Sequence, residues 1–157
     1  MSFSNVHFIL FKPQLAENIG ACARALKNFN FTKLKLVSPK ISFPNEKILA
    51  TSVDAKDIIK SSKIYKNFED AIKDVDFVIA TSSRIRKKNY KYLLLSELKK
   101  IDFKKKIAIV FGPEASGLTN NELSYANYLI KLPTNINFQS LNLSHCVILF
   151  CYEIFKI

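Results

Sequence analysis

Residues 107–118, Ile-Ala-Ile-Val-Phe-Gly-Pro-Glu-Ala-Ser-Gly-Leu, predict a buried β-strand that runs directly into a tight loop. The apolar run Ile107–Phe111 is typical of a central strand in a parallel sheet. The loop after it contains Gly112 and Gly117, two of only three glycines in the chain. A chain so poor in glycine keeps it where a side chain cannot fit. Because ligands of open parallel sheets bind beyond the carboxyl ends of the strands, we expect this loop to bind a ligand.

The alternation of strand and helix continues on both sides of this segment. Further strands are predicted at Val6–Phe11, Leu34–Val37, Ile64-Tyr65, Phe77–Thr81 and Tyr128–Leu132. Helices are predicted from an N-cap at Asn18 to Phe29, at Glu46–Ile59 (one or two short helices), at Phe68–Lys73, after the capping box Thr119–Glu122, and at Ser140–Phe155. The predicted fold class is α/β, a mostly parallel sheet flanked by helices, in one domain spanning residues 1–157.

Four predicted strand ends carry polar or glycine-containing segments. They are Lys12–Arg24, Thr81–Arg84, Gly112–Leu118, and Pro133–Asn135 leading into Ser140-Leu141-Asn142. None is a phosphate-binding glycine loop, because the sequence has neither GxGxxG nor GxxxxGK(S/T). The motifs HExxH, CxxC and GxSxG are also missing, so neither a zinc enzyme nor a serine hydrolase is indicated.

Composition narrows the class of protein further. The net charge of +11 favours a polyanionic partner such as RNA, although a lysine-rich composition also arises from biased genome base content. Three cysteines, Cys22, Cys146 and Cys151, argue against a disulfide framework and against zinc. No apolar run approaches the roughly 18 residues of a membrane span, and the N-terminus lacks a signal-peptide pattern. We therefore expect a cytoplasmic protein with no membrane segment and no metal.

Three segments resemble, in order, the signature motifs of the SPOUT superfamily of RNA 2′-O-ribose methyltransferases. They are Asn18–Arg24, Phe111–Thr119 and Ser140–Ser144. Within the superfamily the chain is most similar to the TrmJ type, which methylates a tRNA anticodon-loop ribose two nucleotides before the anticodon (cytidine or uridine 32). The segments Leu36–Pro39 and Ala80–Ser82 add to this similarity. The resemblance covers nearly the whole chain.

The resemblance implies a C-terminal trefoil knot whose loops surround S-adenosyl-L-methionine, with tRNA as substrate. The residues expected at the cofactor are Thr81, Ser82, Ser83, Gly112, Leu132, Gln139, Ser140 and Leu141. Gly112 would let the backbone approach the cofactor, and Thr81-Ser82-Ser83 would offer hydroxyls and backbone N–H groups.

The residues expected to be catalytic are Arg24, Asn18, Glu114, Ser140 and Asn142. Arginine stays protonated at neutral pH, so we expect Arg24 to clamp a phosphate and place the ribose. Asn18 would orient Arg24 unless it is a simple helix cap. Glu114 would fix the knot loops or pair with Arg24. Ser140 and Asn142 would contact the substrate nucleotide or brace the cofactor loop, and Asn142 could also be a cap.

A basic and aromatic stretch after the strand end at Thr81 is the expected RNA contact. Its phosphate-binding candidates are Arg84, Arg86, Lys87 and Lys88, to which Arg24 is added. An apolar C-terminal helix together with the resemblance predicts a homodimer with active sites at the interface. The alternative functions are a wobble-position tRNA or ribosomal RNA 2′-O-methyltransferase and, in another class, a catalytically inactive RNA-binding module.

Overall fold

Strands and helices alternate along the chain in the computed structural model, which describes residues 3–86 and 89–157. The strands are β1 (Val6–Phe11), β2 (Lys33–Val37), β3 (Lys63–Tyr65), β4 (Phe77–Thr81), β5 (Tyr92–Leu93), β6 (Ile107–Phe111) and β7 (Tyr128–Ile130). The helices are α1 (Ala16–Asn28), α2 (Glu46–Ser52), α3 (Lys56–Ser61), α4 (Phe68–Ile72), α5 (Asn120–Leu123) and α6 (Leu143–Phe155), with 3-10 segments at Val53–Ala55 and Leu95–Lys100.

The strands of the described residues form one sheet in the order β3-β2-β1-β6-β4-β7-β5, and every pairing is parallel. In register, Phe8 of β1 lies between Leu34 of β2 and Ile109 of β6, which in turn pairs with Ile79 of β4. The carboxyl ends of β4, β6 and β7 therefore meet at one edge. The predicted α/β class with a parallel sheet is confirmed, and the trefoil knot stays a prediction.

Helices cover both faces of the sheet, as its apolar strands require. Phe8 and Leu10 point to the core beneath α1, α3 and α6, whereas Ile9 and Phe11 point to a smaller core beneath α4. Gly20 lies where α1 meets α2, and a Cβ there would be 1.9 Å from Oγ1 of Thr51 and 2.7 Å from the Ile48 carbonyl oxygen. The glycine of the first motif is thus needed for helix packing.

One charged residue is buried inside the sheet. Lys35 of β2 is 3% exposed, and its Nζ donates to the Ala71 carbonyl and to Oδ1 of Asp74, each at 2.7 Å. Burial and, after it, the positive charge of Lys35 together lower the pKa of the nearby His7 to about 4, while Asp74 opposes the shift. His7 is therefore neutral at physiological pH.

The main differences from the prediction are the starts of two helices and one missed strand. Helix α1 begins at Ala16 with Leu15 as its N-cap, so Asn18 is not the cap but a buried residue inside the helix. Helix α6 begins at Leu143 and not at Ser140, because the Asn142 side chain accepts from the Ser144 N–H and caps it. Strand β5 was not predicted, since two residues within a polar stretch leave no periodic pattern.

Within the described residues, no helix combines the length and apolarity that crossing a membrane requires. Among the same residues, no cluster of three or more histidine, cysteine or acidic side chains is placed to hold a metal ion.

Candidate cofactor and substrate site

A cavity of about 440 Å³ opens at the edge where β4, β6 and β7 end. All the residues predicted to bind the cofactor line it: Thr81, Ser82, Ser83, Gly112, Leu132, Gln139, Ser140 and Leu141. They come from three loops that lie far apart in the sequence. The parallel strand order brings the loops together, as expected for a ligand site in this class of sheet.

The loop after β6 is closed by a contact between its own ends. A Cβ at Gly112 would lie 2.5 Å from both the Gly117 carbonyl carbon and the Leu118 nitrogen. Gly117 has φ +68°, and its N–H donates to the Pro113 carbonyl at 2.9 Å. The structure therefore gives a different reason for Gly112 from the expected approach to a cofactor, because the loop itself occupies the space of a side chain.

The hydroxyls after β4 are mostly used inside the protein. Thr81 Oγ1 donates to the Val110 carbonyl at 3.0 Å, and Ser82 Oγ donates to the Arg84 carbonyl at 2.6 Å. Of the three hydroxyls predicted to face the cofactor, these two donate their hydrogen bonds to backbone carbonyls. Ser83 is exposed on the cavity wall.

Three predicted catalytic residues form one hydrogen-bonded network. Asn18 Nδ2 donates to Oε1 of Glu114 at 3.1 Å, and Asn142 Nδ2 donates to Oδ1 of Asn18 at 3.1 Å. Asn142 Oδ1 in turn accepts from the N–H and the hydroxyl of Ser144. Asn18, a residue of the first motif that is only 6% exposed, thus joins one residue from each of the other two motifs.

Glu114 also caps α1 from a distant part of the chain. Leu15 has no side-chain oxygen to cap the helix, and the Glu114 carboxylate accepts from the N–H groups of Gln14 at 2.9 Å and Leu15 at 3.2 Å. A carboxylate at this position satisfies free N–H groups and is favoured by the helix dipole. Gln14 makes a second bond to the loop of Glu114, because its Oε1 accepts from the Ala115 N–H at 3.0 Å. The cavity loop and α1 are therefore held together.

Arg24 is separated from this network. It is exposed on α1, six positions after the buried Asn18, and does not line the cavity. Among the described residues it makes no ion pair. Within the described residues, Asn18 and Glu114 bond to each other and not to Arg24. Of the two roles expected for Glu114, the structure shows the fixing of the loops and no pair with Arg24 in a single chain.

The predicted RNA-binding residues have different surroundings. Arg84 is exposed and lines the cavity. Arg86 points inward, since its Nη2 donates to the Leu118 carbonyl at 2.6 Å and its Nε is buried. This internal position contradicts the predicted phosphate contact by Arg86. Lys87 and Lys88 lie outside the described residues.

Sequence reasoning missed two residues of the site. Gln14 braces the cavity loop, and its position directly after β1 was the available signal. Cys146 of α6 lines the cavity, although its apolar helical pattern suggested only a core residue. Burial raises the pKa of the Cys146 thiol to about 11, so it is protonated at neutral pH and unsuited to act as a nucleophile.

Comparisons with known proteins agree with this geometry. A family model described as the SpoU rRNA Methylase family matches residues 5–152. The tRNA (cytidine-2′-O-)-methyltransferase TrmJ of Methanocaldococcus jannaschii is 38% identical over 155 residues, which are 96% of this chain and 67% of that protein. An uncharacterized tRNA/rRNA methyltransferase of Haemophilus influenzae is 39% identical over 152 residues, 96% of this chain and 62% of that protein.

A similar solved structure supports the same relationship. The crystal structure of TrmJ from Z. mobilis ZM4 superimposes with a TM-score of 0.88 at 32% identity, covering 96% of this chain and 68% of that one. The chain spans 62% of the length of the Haemophilus influenzae relative and 67% of the archaeal one. Since the family model matches nearly every residue and the fold agrees, the chain belongs to the SpoU rRNA methylase family, as its three motifs predicted.

Proposed function

We propose that this protein transfers a methyl group from S-adenosylmethionine to a ribose 2′-oxygen of tRNA, at cytidine or uridine 32 of the anticodon loop. The observation that carries the proposal is the convergence of the three motif loops on one cavity, braced by the network of Asn18, Glu114 and Asn142. The similarity to proteins named as tRNA 2′-O-methyltransferases supports the same substrate class.

The residues around the cavity fit this cofactor. A volume of about 440 Å³ is within the usual range for a small-molecule site. Leu132 and Leu141 supply apolar walls suited to an adenine ring, and Ser83, Gln139 and Ser140 supply polar groups. When bound, S-adenosylmethionine supplies a methyl group on a positively charged sulfur.

The protein's own residues would position and activate the ribose. Transfer needs the 2′-oxygen aligned with the methyl group and partly stripped of its proton. The Arg24 guanidinium would hold a phosphate and place the ribose. Glu114, Asn18 and Asn142 act one step away, by fixing the loop that forms the cavity wall.

We propose that Arg24 acts across a homodimer interface, since it does not line the cavity of its own chain. Helix α6 packs beside α1 and presents Leu149, Tyr152 and Phe155, which are 40%, 50% and 51% exposed. An exposed apolar face of this kind marks an interaction surface, and the commonest arrangement of two copies of one chain is a two-fold dimer. We therefore propose that each active site takes its arginine from the partner subunit.

Mixing two inactive variants tests this arrangement. Arg24→Ala and Gly112→Val each abolish activity alone, the first by removing the clamp and the second by forcing apart the loop that forms the cavity wall. If the site is shared between subunits, an equal mixture of the two variants regains up to a quarter of the wild-type activity, because half of its dimers are mixed and one of the two sites in each mixed dimer is intact. A monomeric mass in light scattering together with full activity would contradict the dimer.

The function itself is tested by transfer of labelled methyl groups to bulk unmodified tRNA, followed by nuclease mapping. A 2′-O-methyl group two nucleotides before the anticodon supports the proposal. A label at the wobble nucleotide would assign the alternative tRNA site. Cofactor binding without any labelled tRNA would point to ribosomal RNA or to an inactive RNA-binding module.

A further inference from the structure

A second cavity of about 620 Å³ adjoins the cofactor cavity at the edge of the sheet. Strand β5 forms one wall through Tyr92 and Leu93, and the loop that follows β7 forms the other. Thr134 and Gln139 line both cavities. The second cavity is therefore separated from the methyl-donor site by little more than one loop, within reach of the same substrate molecule.

Exposed apolar side chains are concentrated at this second cavity. Ile136, Ile85 and Leu94 line it and are 81%, 73% and 63% exposed. With Phe138, which is 71% exposed on the same loop, they are the four most exposed large hydrophobic side chains of the described residues. Scattered exposed hydrophobic residues need no explanation, but a cluster of this kind marks an interaction surface.

The polar groups of the cavity favour a nucleic acid as the occupant. Lys131 lines it, and the exposed Arg84 lies on the wall of the adjoining cavity. The acid in the lining, Glu97, is already paired, because it accepts from the Leu94 N–H at 2.8 Å and from Lys100 Nζ at 2.6 Å. One lysine in the lining of an apolar cavity, with an arginine on the adjoining wall, is complementary to a phosphate joined to a flat base.

The hydrogen-bonding groups of the second cavity also suit a base. Single-stranded RNA is recognised by bases that are splayed out, placed on aromatic or apolar side chains and hydrogen-bonded at their edges. Tyr92 offers a ring that is held in place, since its hydroxyl accepts from the Arg86 N–H at 2.7 Å. Thr134 and Gln139 can donate to and accept from a base edge.

We propose that the second cavity holds one unstacked nucleobase of the RNA substrate, with the adjacent phosphate on Lys131 and Arg84. The proposal rests on the function proposed above and adds a recognition site beside the methyl-transfer site. It assigns base recognition to the loop of residues 131–139, which thereby contacts cofactor on one side and RNA on the other.

The test compares Ile136→Ser and Leu94→Ser with a matched control, Ile64→Ser. Ile64 is 50% exposed and lies on β3, at the opposite edge of the sheet. Binding is measured for an anticodon stem-loop RNA and for copies that carry a single abasic position in the loop, together with binding of S-adenosylhomocysteine.

We expect the wild-type protein to bind the intact RNA about 5- to 10-fold more tightly than one of the abasic copies, as loss of a stacked base predicts. Both cavity variants lose this preference and bind S-adenosylhomocysteine normally, whereas Ile64→Ser retains it. Lys131→Gln weakens binding of all these RNAs. It also reduces the slope of log affinity against log salt concentration by about the amount expected for one phosphate contact.

Two results would overturn the proposal in distinguishable ways. If the wild-type protein methylates RNA and both cavity variants keep full RNA affinity and base preference, the cavity serves another partner, such as a protein, and this proposal fails alone. If the wild-type protein binds neither RNA nor S-adenosylhomocysteine, the proposed function fails together with it.

Discussion

Replacing Glu114 with alanine tests whether the carboxylate joins the cavity loop to α1. The side chain accepts three hydrogen bonds, from the N–H groups of Gln14 and Leu15 and from Nδ2 of Asn18. A hydrogen bond to a charged group contributes about 1.5–3 kcal/mol, but water can reach two of these donors in the variant. We therefore expect Glu114→Ala to lower the free energy of unfolding by about 2–3 kcal/mol, close to the upper range for loss of a helix cap.

Glu114→Gln should have a smaller effect with a defined cause. The amide oxygen can replace Oε1, which accepts from Leu15 and Asn18, but the amide nitrogen then faces the Gln14 N–H. Two donors in contact cost roughly 1–2 kcal/mol. The control is Glu17→Gln, which removes a negative charge from the same end of α1, where Glu17 pairs with the exposed Lys47.

Urea denaturation and thermal melting measure these changes, with about 2–4 °C in Tm expected for each kcal/mol in a chain of this size. Glu114→Ala should melt roughly 5–10 °C lower and bind S-adenosylmethionine more weakly, while Glu17→Gln melts as the wild type does. Equal Tm values for Glu114→Ala and Glu17→Gln would refute the assignment of Glu114 as the distant cap.

Three further predictions follow from the structure. Arg24→Ala should leave cofactor binding intact and remove most methyl transfer, because Arg24 lies outside the cavity; loss of both in calorimetry and transfer assays would make it a structural residue. Gly20→Ala should lower the free energy of unfolding in urea by about 1–2 kcal/mol, since its Cβ would lie 2.7 Å from the Ile48 carbonyl oxygen. The cost of this overpacking exceeds the better helix propensity of alanine. An unchanged urea midpoint would show that α2 moves freely. The free energy of unfolding of the wild-type protein should fall by about 1–2 kcal/mol between pH 6.5 and pH 4, because the unfolded chain binds a proton at His7 near pH 6.5 while the folded pKa is about 4. His7→Asn should remove that part of the pH dependence, and identical stability profiles for the two proteins would exclude His7 as its source.

Most of the sheet was predictable because its strands are buried on both faces. Strands β1, β4 and β6 are mostly apolar runs, and their bounds match the predicted Val6–Phe11, Phe77–Thr81 and Ile107–Phe111. Strand β5 has two residues in a polar stretch, so it depends on its partner β7 and has no signal of its own. The short strand exists because a neighbour supplies its hydrogen bonds.

The residues of the cofactor cavity were predictable from motif order, but their chemistry was not. All the residues expected there do line the cavity, but the Thr81 and Ser82 hydroxyls donate their hydrogen bonds to backbone carbonyls. Arg86 looked equivalent to Arg84 in the sequence, and the structure turns it inward to Leu118. Sequence spacing places a residue in a loop but does not say which way its side chain points.

The sequence alone determined the α/β class, the order of most of the elements and the family, because hydrophobic periodicity and short motifs are local properties of the chain. Only the tertiary structure showed that Asn18 is the centre of a network, that Glu114 caps a helix about a hundred residues earlier, and that a second cavity lies beside the first. Each of these features depends on contacts between segments far apart in the chain. Such contacts follow from the parallel order of the strands, which no local pattern records.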